Sequence, residues 1–318
     1  MPRATANPRL GYALVVSGAA LFIVNAGVSR VAMRAGVEPG VLTTARVTGA
    51  AALFVGWAAL VRPSVLRPPT GRTLLNLVIL GVIGVAGVQW TYNVAIDRVP
   101  VGIALLLEYL APVLVVLWAR FVQRKRVRDR MWLAVAASLV GLAIISRAWQ
   151  GLTFDGVGVL AGLGAAICLA VYFLMGEHGV GSQDPLRVVL WSFVLAAVAM
   201  NCVHPIWGLE VGSESTSLLG ALDGLSAPVW LLLGWIVVLG TLLPFFLELN
   251  ALSHLPATVV TVVATLEPVG AAALGWAWFG ESLTVVQVLG GVLVLTGIGL
   301  AQTARTQPAE GVVPEVAP

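Results

Sequence analysis

Two glutamates are the residues of this sequence best placed to do chemistry. Glu108 and Glu267 each stand midway along an apolar stretch long enough to cross a bilayer, which takes about 20 residues. At a helical rise of about 1.5 Å per residue, Glu108 lies about 12 Å beyond Pro100, close to the centre of the hydrocarbon. A charge facing lipid there costs from a few to more than ten kcal/mol, so such side chains turn towards a cavity or pathway. One reading makes the two carboxyl groups a substrate-contacting or proton-titrating pair. The other makes them hydrogen-bonding elements between neighbouring helices.

The segments that carry them are copies of one another. Val99 to Pro112 reads VPVGIALLLEYLAP and Leu255 to Pro268 reads LPATVVTVVATLEP. Pro100 and Pro256 are 156 residues apart, as are Pro112 and Pro268, Gly84 and Gly240, Ala95 and Ala251, and Gly141 and Gly297. In that register Glu108 matches Ala264 and Glu267 matches Ala111. Positions 108 and 111 share one helical face, so a pseudo-twofold axis would bring both carboxyl groups to one central space. Pro112 and Pro268 each remove a helix hydrogen bond and free a carbonyl one turn earlier. Helix breaks at such depth line substrate cavities; a packing kink is the simpler alternative.

Other polar groups converge on the same depth. The third apolar stretch ends on Gln89, Trp90, Tyr92 and Asn93; the eighth carries Thr241, Pro244, Glu248 and Asn250, and Tyr92 matches Glu248. Trp90, Tyr92, Asn93 and Glu248, with Tyr109 beside Glu108, are candidate substrate-binding residues, and Pro244 is a third candidate helix break. Against this, Trp90 and Tyr92 suit an interfacial aromatic belt, and Glu248 could snorkel from a helix end. Arg46, five residues into the second stretch, either snorkels to the interface, holds a substrate carboxylate bidentately or pairs with a glutamate. Asn25 and Tyr172 are cavity candidates on the first and sixth stretches, with interhelical hydrogen bonding as their alternative.

No enzyme centre is visible. An intramembrane enzyme needs a nucleophile with a base, or clustered His, Cys and carboxylates. His178, His204 and His254 fall at helix ends or connections, and Cys168 and Cys202 lie in apolar segments without metal spacing. No phosphate-binding loop is present for ATP-driven transport, and no cofactor or metal is expected.

The elements that must position these groups are membrane helices. The chain is 59% hydrophobic and only 10% charged, against about 25% charged in soluble domains. Ten apolar stretches can be marked: 10–28, 41–61, 74–95, 99–118, 131–146, 156–176, 188–207, 229–249, 256–279 and 283–303. Unbroken apolar character fits helices, since barrel strands alternate and are shorter. The expected fold is therefore an all-α membrane protein of ten transmembrane helices.

In the early part of each half the repeat offset is 146 (Gly18-Ala19-Ala20 with Gly164-Ala165-Ala166, Pro39 with Pro185), so about ten residues are inserted, fitting the polar stretch Gly208 to Pro228. This divides the chain into a first five-helix repeat, 1–150, a second, 151–304, and a Pro-rich tail, 305–318, expected to be disordered on the cytoplasmic side.

Charge sets the orientation. With a cytoplasmic amino terminus, one side collects Arg3, Arg9, Arg62, Arg67, Arg72, Arg120, Arg124, Lys125, Arg126, Arg128, Arg130, Arg187 and Arg305, thirteen of the 18 cations, and the other only Arg30, Arg34, Arg98 and Arg147. That asymmetry obeys the positive-inside rule, and the run from Arg120 to Arg130 reads as a topology anchor rather than a nucleic-acid or anionic-lipid patch. Ten spans leave both termini cytoplasmic. Five per half, an odd number, make the repeats inverted, the arrangement that supports alternating access. Seventeen Arg to one Lys, with abundant Ala, Gly and Val, point to a GC-rich bacterial genome and hence a plasma (inner) membrane.

These features resemble the EamA-type drug/metabolite transporter superfamily over Leu10 to Ala304. The resemblance rests on the ten-span duplication, the segment Pro100 to Pro112, the stretch Leu252 to Pro268, and Gly280-Glu281 followed by Gly290-Gly291 and Gly297. The first half has Arg124-Lys125 where that Gly-Glu pair would recur. Gly102-Ile103-Ala104 through Leu107-Glu108-Tyr109, with Leu243-Pro244 and Leu247-Glu248, look like the threonine/homoserine exporter group. The resemblance implies a central cavity between the fourth and ninth spans and the first, third, sixth and eighth. It also implies peripheral fifth and tenth spans that could support a homodimer, and export of small metabolites driven by an ion gradient. The leading expectation is a secondary carrier exporting amino acids or related metabolites. A multidrug or cationic/aromatic compound exporter is the alternative within transport; a channel or non-transporting membrane protein is the alternative outside it.

Overall fold

In a computed structural model the chain is described over residues 7–98, 101–145, 155–208, 215–280 and 284–303. Glu281 and the tail from residue 304 lie outside the described residues. Helix α1 spans Pro8–Arg34 and α2 Pro39–Val61. A long rod follows: α3 (Gly71–Val78), a π-helical segment (Ile79–Gly87) and α4 (Val88–Arg98). A broken rod comes next, α5 (Val101–Glu108) and α6 (Ala111–Leu117), then α7 (Asp129–Ile145). The second half repeats this order. It has α8 (Gly156–Ser182), α9 (Pro185–Val203) and a rod of α10 (Val229–Val237), a π segment (Val238–Leu242) and α11 (Leu243–Ala251). The broken rod α12 (Ala257–Ala264) and α13 (Leu266–Phe279) and helix α14 (Val285–Thr303) complete it. Among the described residues, eight of these rods are long and apolar enough to cross a membrane; α14 offers a shorter apolar stretch, Val285–Ala301, and α7 has 17 residues.

The helix ends are written locally. Asn7 caps α1, its side chain accepting from the Leu10 amide at 3.3 Å, and Pro8 fills the first turn, where a missing N–H costs nothing. Asp155 and Asp184 cap α8 and α9, accepting from Gly158 N and Leu186 N, both at 2.8 Å. Gly280, at φ 69°, stops α13 in the left-handed region that glycine enters freely.

Packing follows the duplication. The α3–α4 rod lies on α8, and its counterpart α10–α11 lies on α1. Likewise α5 and α6 pack on α8, while α12 and α13 pack on α1. The two broken rods meet through α6 and α12, and elements pair directly with their own copies in α2 with α9 and α7 with α14. The last pair is close because Gly141 faces the Gly290 backbone and Gly297 faces Ser138, so an added Cβ would collide. The expected peripheral fifth and tenth helices therefore spend their glycine faces on each other within one chain.

The outer surface is a belt of bare hydrocarbon, with Leu60 88%, Leu160 70% and Phe121 71% exposed. Lipid is as apolar as these side chains, so no penalty attaches. Between Gly208 and Pro228 the insertion forms a small hairpin, Ser215–Ser217 paired antiparallel with Ser226–Pro228. It is pinned to the end of α13 by the Trp278 indole N–H donating to Leu218 O at 3.0 Å.

Candidate functional site

Both broken rods part where the sequence places an acid. Helix α5 ends at Glu108 and α6 resumes at Ala111; α12 ends at Ala264 and α13 resumes at Leu266, putting Glu267 in its first turn. Pro112 and Pro268 sit just inside the resuming helices, so the missing N–H groups belong to residues whose i−4 carbonyls are those of Glu108 and Ala264. The rod pair α6 and α12 meets there, bringing the acids of the two halves together.

Glu267 is the hub. Its carboxyl group lies within hydrogen-bonding reach of the Tyr109 hydroxyl and of Glu248. Glu108 interacts electrostatically with Glu267 across the repeat axis. Tyr92 stands among Glu108, Glu267 and Arg46, and Tyr172 faces Glu248 and Glu267. Glu108 and Glu267 are half-buried, whereas Glu248 is 3% exposed and its Oε1 has no hydrogen-bond partner among the described residues. The Tyr172 hydroxyl is likewise buried without a partner among the described residues. The site thus combines three carboxyl groups, three tyrosines and one guanidinium at the junction of the two halves.

Arg46 does not snorkel. Its Nε donates to Thr241 Oγ1 at 2.9 Å and its Nη2 to Gly240 O at 3.1 Å. The Gly240 carbonyl is available because its helical partner would be the amide of residue 244, which is proline. The expected break at Pro244 is therefore not a gap in the rod. The chain stays wound through the π segment, and the carbonyl left over is taken by an arginine from the other half. Nη1 makes no hydrogen bond among the described residues. Arg46→Lys is expected to lower thermal stability by about 1 kcal/mol, because an ammonium cannot serve both acceptors in the guanidinium's planar geometry. A melting curve of the purified variant checks this.

Three candidates lie apart from the cluster. Trp90 is 42% exposed and points into the lipid belt. Asn93 donates to Thr43 Oγ1 at 2.5 Å and to Pro39 O at 3.4 Å, tying α4 to the start of α2. Asn25 is buried against Gly240, where its Oδ1 accepts from Ser29 Oγ at 3.5 Å. Asn93 thus makes the interhelical hydrogen bonds of its alternative reading, Asn25 packs against the second-half rod while its hydrogen bond to Ser29 stays within α1, and Trp90 lies at the surface.

Reading the sequence for charged groups missed the glycines that hold the site's walls. Gly84 and Gly240 occupy matching places in the π segments of the α3–α4 and α10–α11 rods, one against the backbone of Tyr172 and the other against Asn25. Gly18 lies against Glu248, and its repeat mate Gly164 against Thr91. Cys168, near Thr91 and Glu108, also borders the cluster. The 156-residue offset of Gly84 and Gly240 was the available signal. π segments within helices gather at functional sites, but no residue pattern announces them.

Duplicated helical halves, dressed for lipid and enclosing ionisable groups at their junction, define a membrane transporter. The chain matches the EamA-like transporter family over residues 9–147 and again over 156–303, one match per half, and belongs to that family. It is similar to an uncharacterized transporter of Archaeoglobus fulgidus, 29% identical over 254 residues that cover 78% of this chain and 83% of that one. It is similar to the threonine/homoserine exporter RhtA of Escherichia coli strain K12, 29% identical over 235 residues, 73% of each chain. The same exporter from Salmonella typhimurium strain SL1344 is 30% identical over 229 residues, 71% of each. A solved crystal structure with 20% identity aligns at a TM-score of 0.74, covering 93% of this chain and 97% of that chain, which shows the fold.

Proposed function

We propose that the protein is a secondary carrier exporting small amino acids by alternating access. On this reading its ten helical rods are ten spans, arranged as two inverted five-helix repeats in a bacterial plasma membrane with both termini cytoplasmic. An ion gradient drives the exchange. The observation that carries the reading is the mixed charge of the central cluster. Arg46 offers a cation, Glu108 and Glu267 offer ionisable carboxyl groups, and Tyr92 stands between them. An α-amino acid is dipolar and meets both poles at once: its carboxylate suits the Nη1 of Arg46, and its ammonium suits the acids. The names of the RhtA relatives agree with this substrate class.

One observation favours a second reading. Carboxyl groups outnumber guanidinium three to one in the cluster, and that balance suits a cationic compound. Proteoliposomes separate the two. Counterflow of radiolabelled homoserine or threonine, accelerated by unlabelled amino acid inside, is the expected result. Flux of a quaternary ammonium dye with no amino acid flux would replace the first reading by the second. Flux of neither removes both.

A further inference from the structure

A second polar site lies away from the transport cluster, at the membrane surface that carries Arg62, Arg67 and Arg72. A pocket of about 320 Å³ opens there between the start of α3 and the turn joining α8 to α9. Thr70, Thr73, Ser182, Gln183 and Arg187 line it, and none is a hydrocarbon side chain. Among the described residues Arg187 is held by one bond, Nη2 to Arg67 O at 3.1 Å, while its Nε is buried with no partner. Gln183 donates through Nε2 to Thr73 Oγ1 at 3.4 Å, while its Oε1 is also buried with no partner among the described residues. The Ser182 hydroxyl spends its proton on His178 O and Gly179 O, at 3.2 and 3.1 Å, leaving its lone pairs to accept.

The local charge is positive. The carboxylate nearest in sequence, Asp184, is already engaged: Oδ2 pairs with Arg62 Nη1 at 2.6 Å and Oδ1 accepts from Leu186 N. Thr70 stands at the amino end of α3, whose first-turn amides point outward with partial positive charge. An unpartnered guanidinium donor beside an unpartnered amide acceptor calls for a ligand that brings both an oxyanion and a hydroxyl. A glycerophosphoryl group has this chemistry. Its phosphate would sit on Arg187, and its glycerol hydroxyls would donate to Gln183 Oε1 and Ser182 Oγ. Leu74, one turn deeper than Thr70 on the same face, is 39% exposed, and Leu75 beside it is 59% exposed. Acyl chains have a surface to lie on directly beneath the headgroup.

We propose that this pocket binds the glycerophosphoryl headgroup of an anionic membrane lipid. It is independent of the transported substrate. The test uses the full chain in nanodiscs of phosphatidylcholine, with and without phosphatidylglycerol, and reads the melting temperature, because a ligand of the folded state raises it by mass action. The parent protein should melt several degrees higher when phosphatidylglycerol is present. Arg187→Gln should lose most of that increment, and Arg72→Gln, which alters an exposed arginine outside the lining, should keep it.

Since Arg187→Gln also breaks the bond to Arg67 O, Ser182→Asp serves as a second variant. It preserves that bond, sets a carboxylate against the phosphate, and should abolish the increment. Soluble glycerol phosphate added to phosphatidylcholine discs identifies the source. No shift with the soluble compound supports the lipid. A shift with glycerol phosphate that equals the lipid's assigns the pocket to a soluble metabolite and overturns the lipid assignment. Equal lipid increments in the parent, Arg187→Gln and Ser182→Asp proteins would overturn the site itself.

Discussion

Glu267→Gln is expected to lower transport by about ten- to a hundredfold while the protein reaches the membrane in normal amount. Glu267 is the residue to which Tyr109, Glu248, Tyr92 and Glu108 all relate. Glutamine keeps the size and one carbonyl, so packing survives; it removes the charge and turns an acceptor into an amide. Hydrogen bonds to charged groups contribute about 1.5–3 kcal/mol, and each 1.4 kcal/mol is about tenfold, which sets the range. Glu108→Gln should act in the same direction but less strongly, since fewer cluster members interact with Glu108. Homoserine counterflow normalised to membrane protein measures both. If both variants run at the parental rate at every pH, the acids belong to packing rather than to transport.

Gly240→Ala should cost about 1–3 kcal/mol of stability, the usual penalty for overpacking a filled interior. An added Cβ would overlap the Asn25 side chain, and removing that side chain in Asn25→Ala should recover most of the loss. Gly84→Ala makes a useful contrast. Its Cβ would meet the Tyr172 backbone, 2.9 Å from Cα and 3.2 Å from N, and the Tyr172 Cβ at 3.2 Å, an atom that alanine keeps. Backbone cannot rotate away, so trimming Tyr172 to Ala should give no rescue. Thermal melts of the two single and two double variants test the pair. Rescue of both, or of neither, would show that the π segments do not press on α1 and α8 in the way described.

The two acid-bearing breaks were legible in the sequence because proline acts locally. Pro112 and Pro268 disturb the residues one turn before them whatever the surroundings, so breaks beside Glu108 and Glu267 follow from the chain alone. Arg46 was not legible in the same way. Its depth predicted either snorkelling or a charged partner, yet its guanidinium is held by a neutral carbonyl 194 residues away. That carbonyl is free only because Pro244 follows it by four residues, and it is near only because the halves interlock. Trp90 and Tyr92 show the same limit: two positions apart on one helix, they face lipid and site respectively, and hydropathy alone does not say which face is which.

Lipid, duplication and family membership were determined by the sequence itself, because hydropathy, repeat spacing and proline position are properties of single stretches of chain. Which polar groups meet was decided by tertiary structure, because helices in lipid pack through their small residues. Gly18, Gly84 and Gly240 set how closely the rods approach and in what rotation. That rotation, invisible to composition, is what buries Glu248 beside Glu267 and sends Asn25 and Asn93 to the helix interfaces.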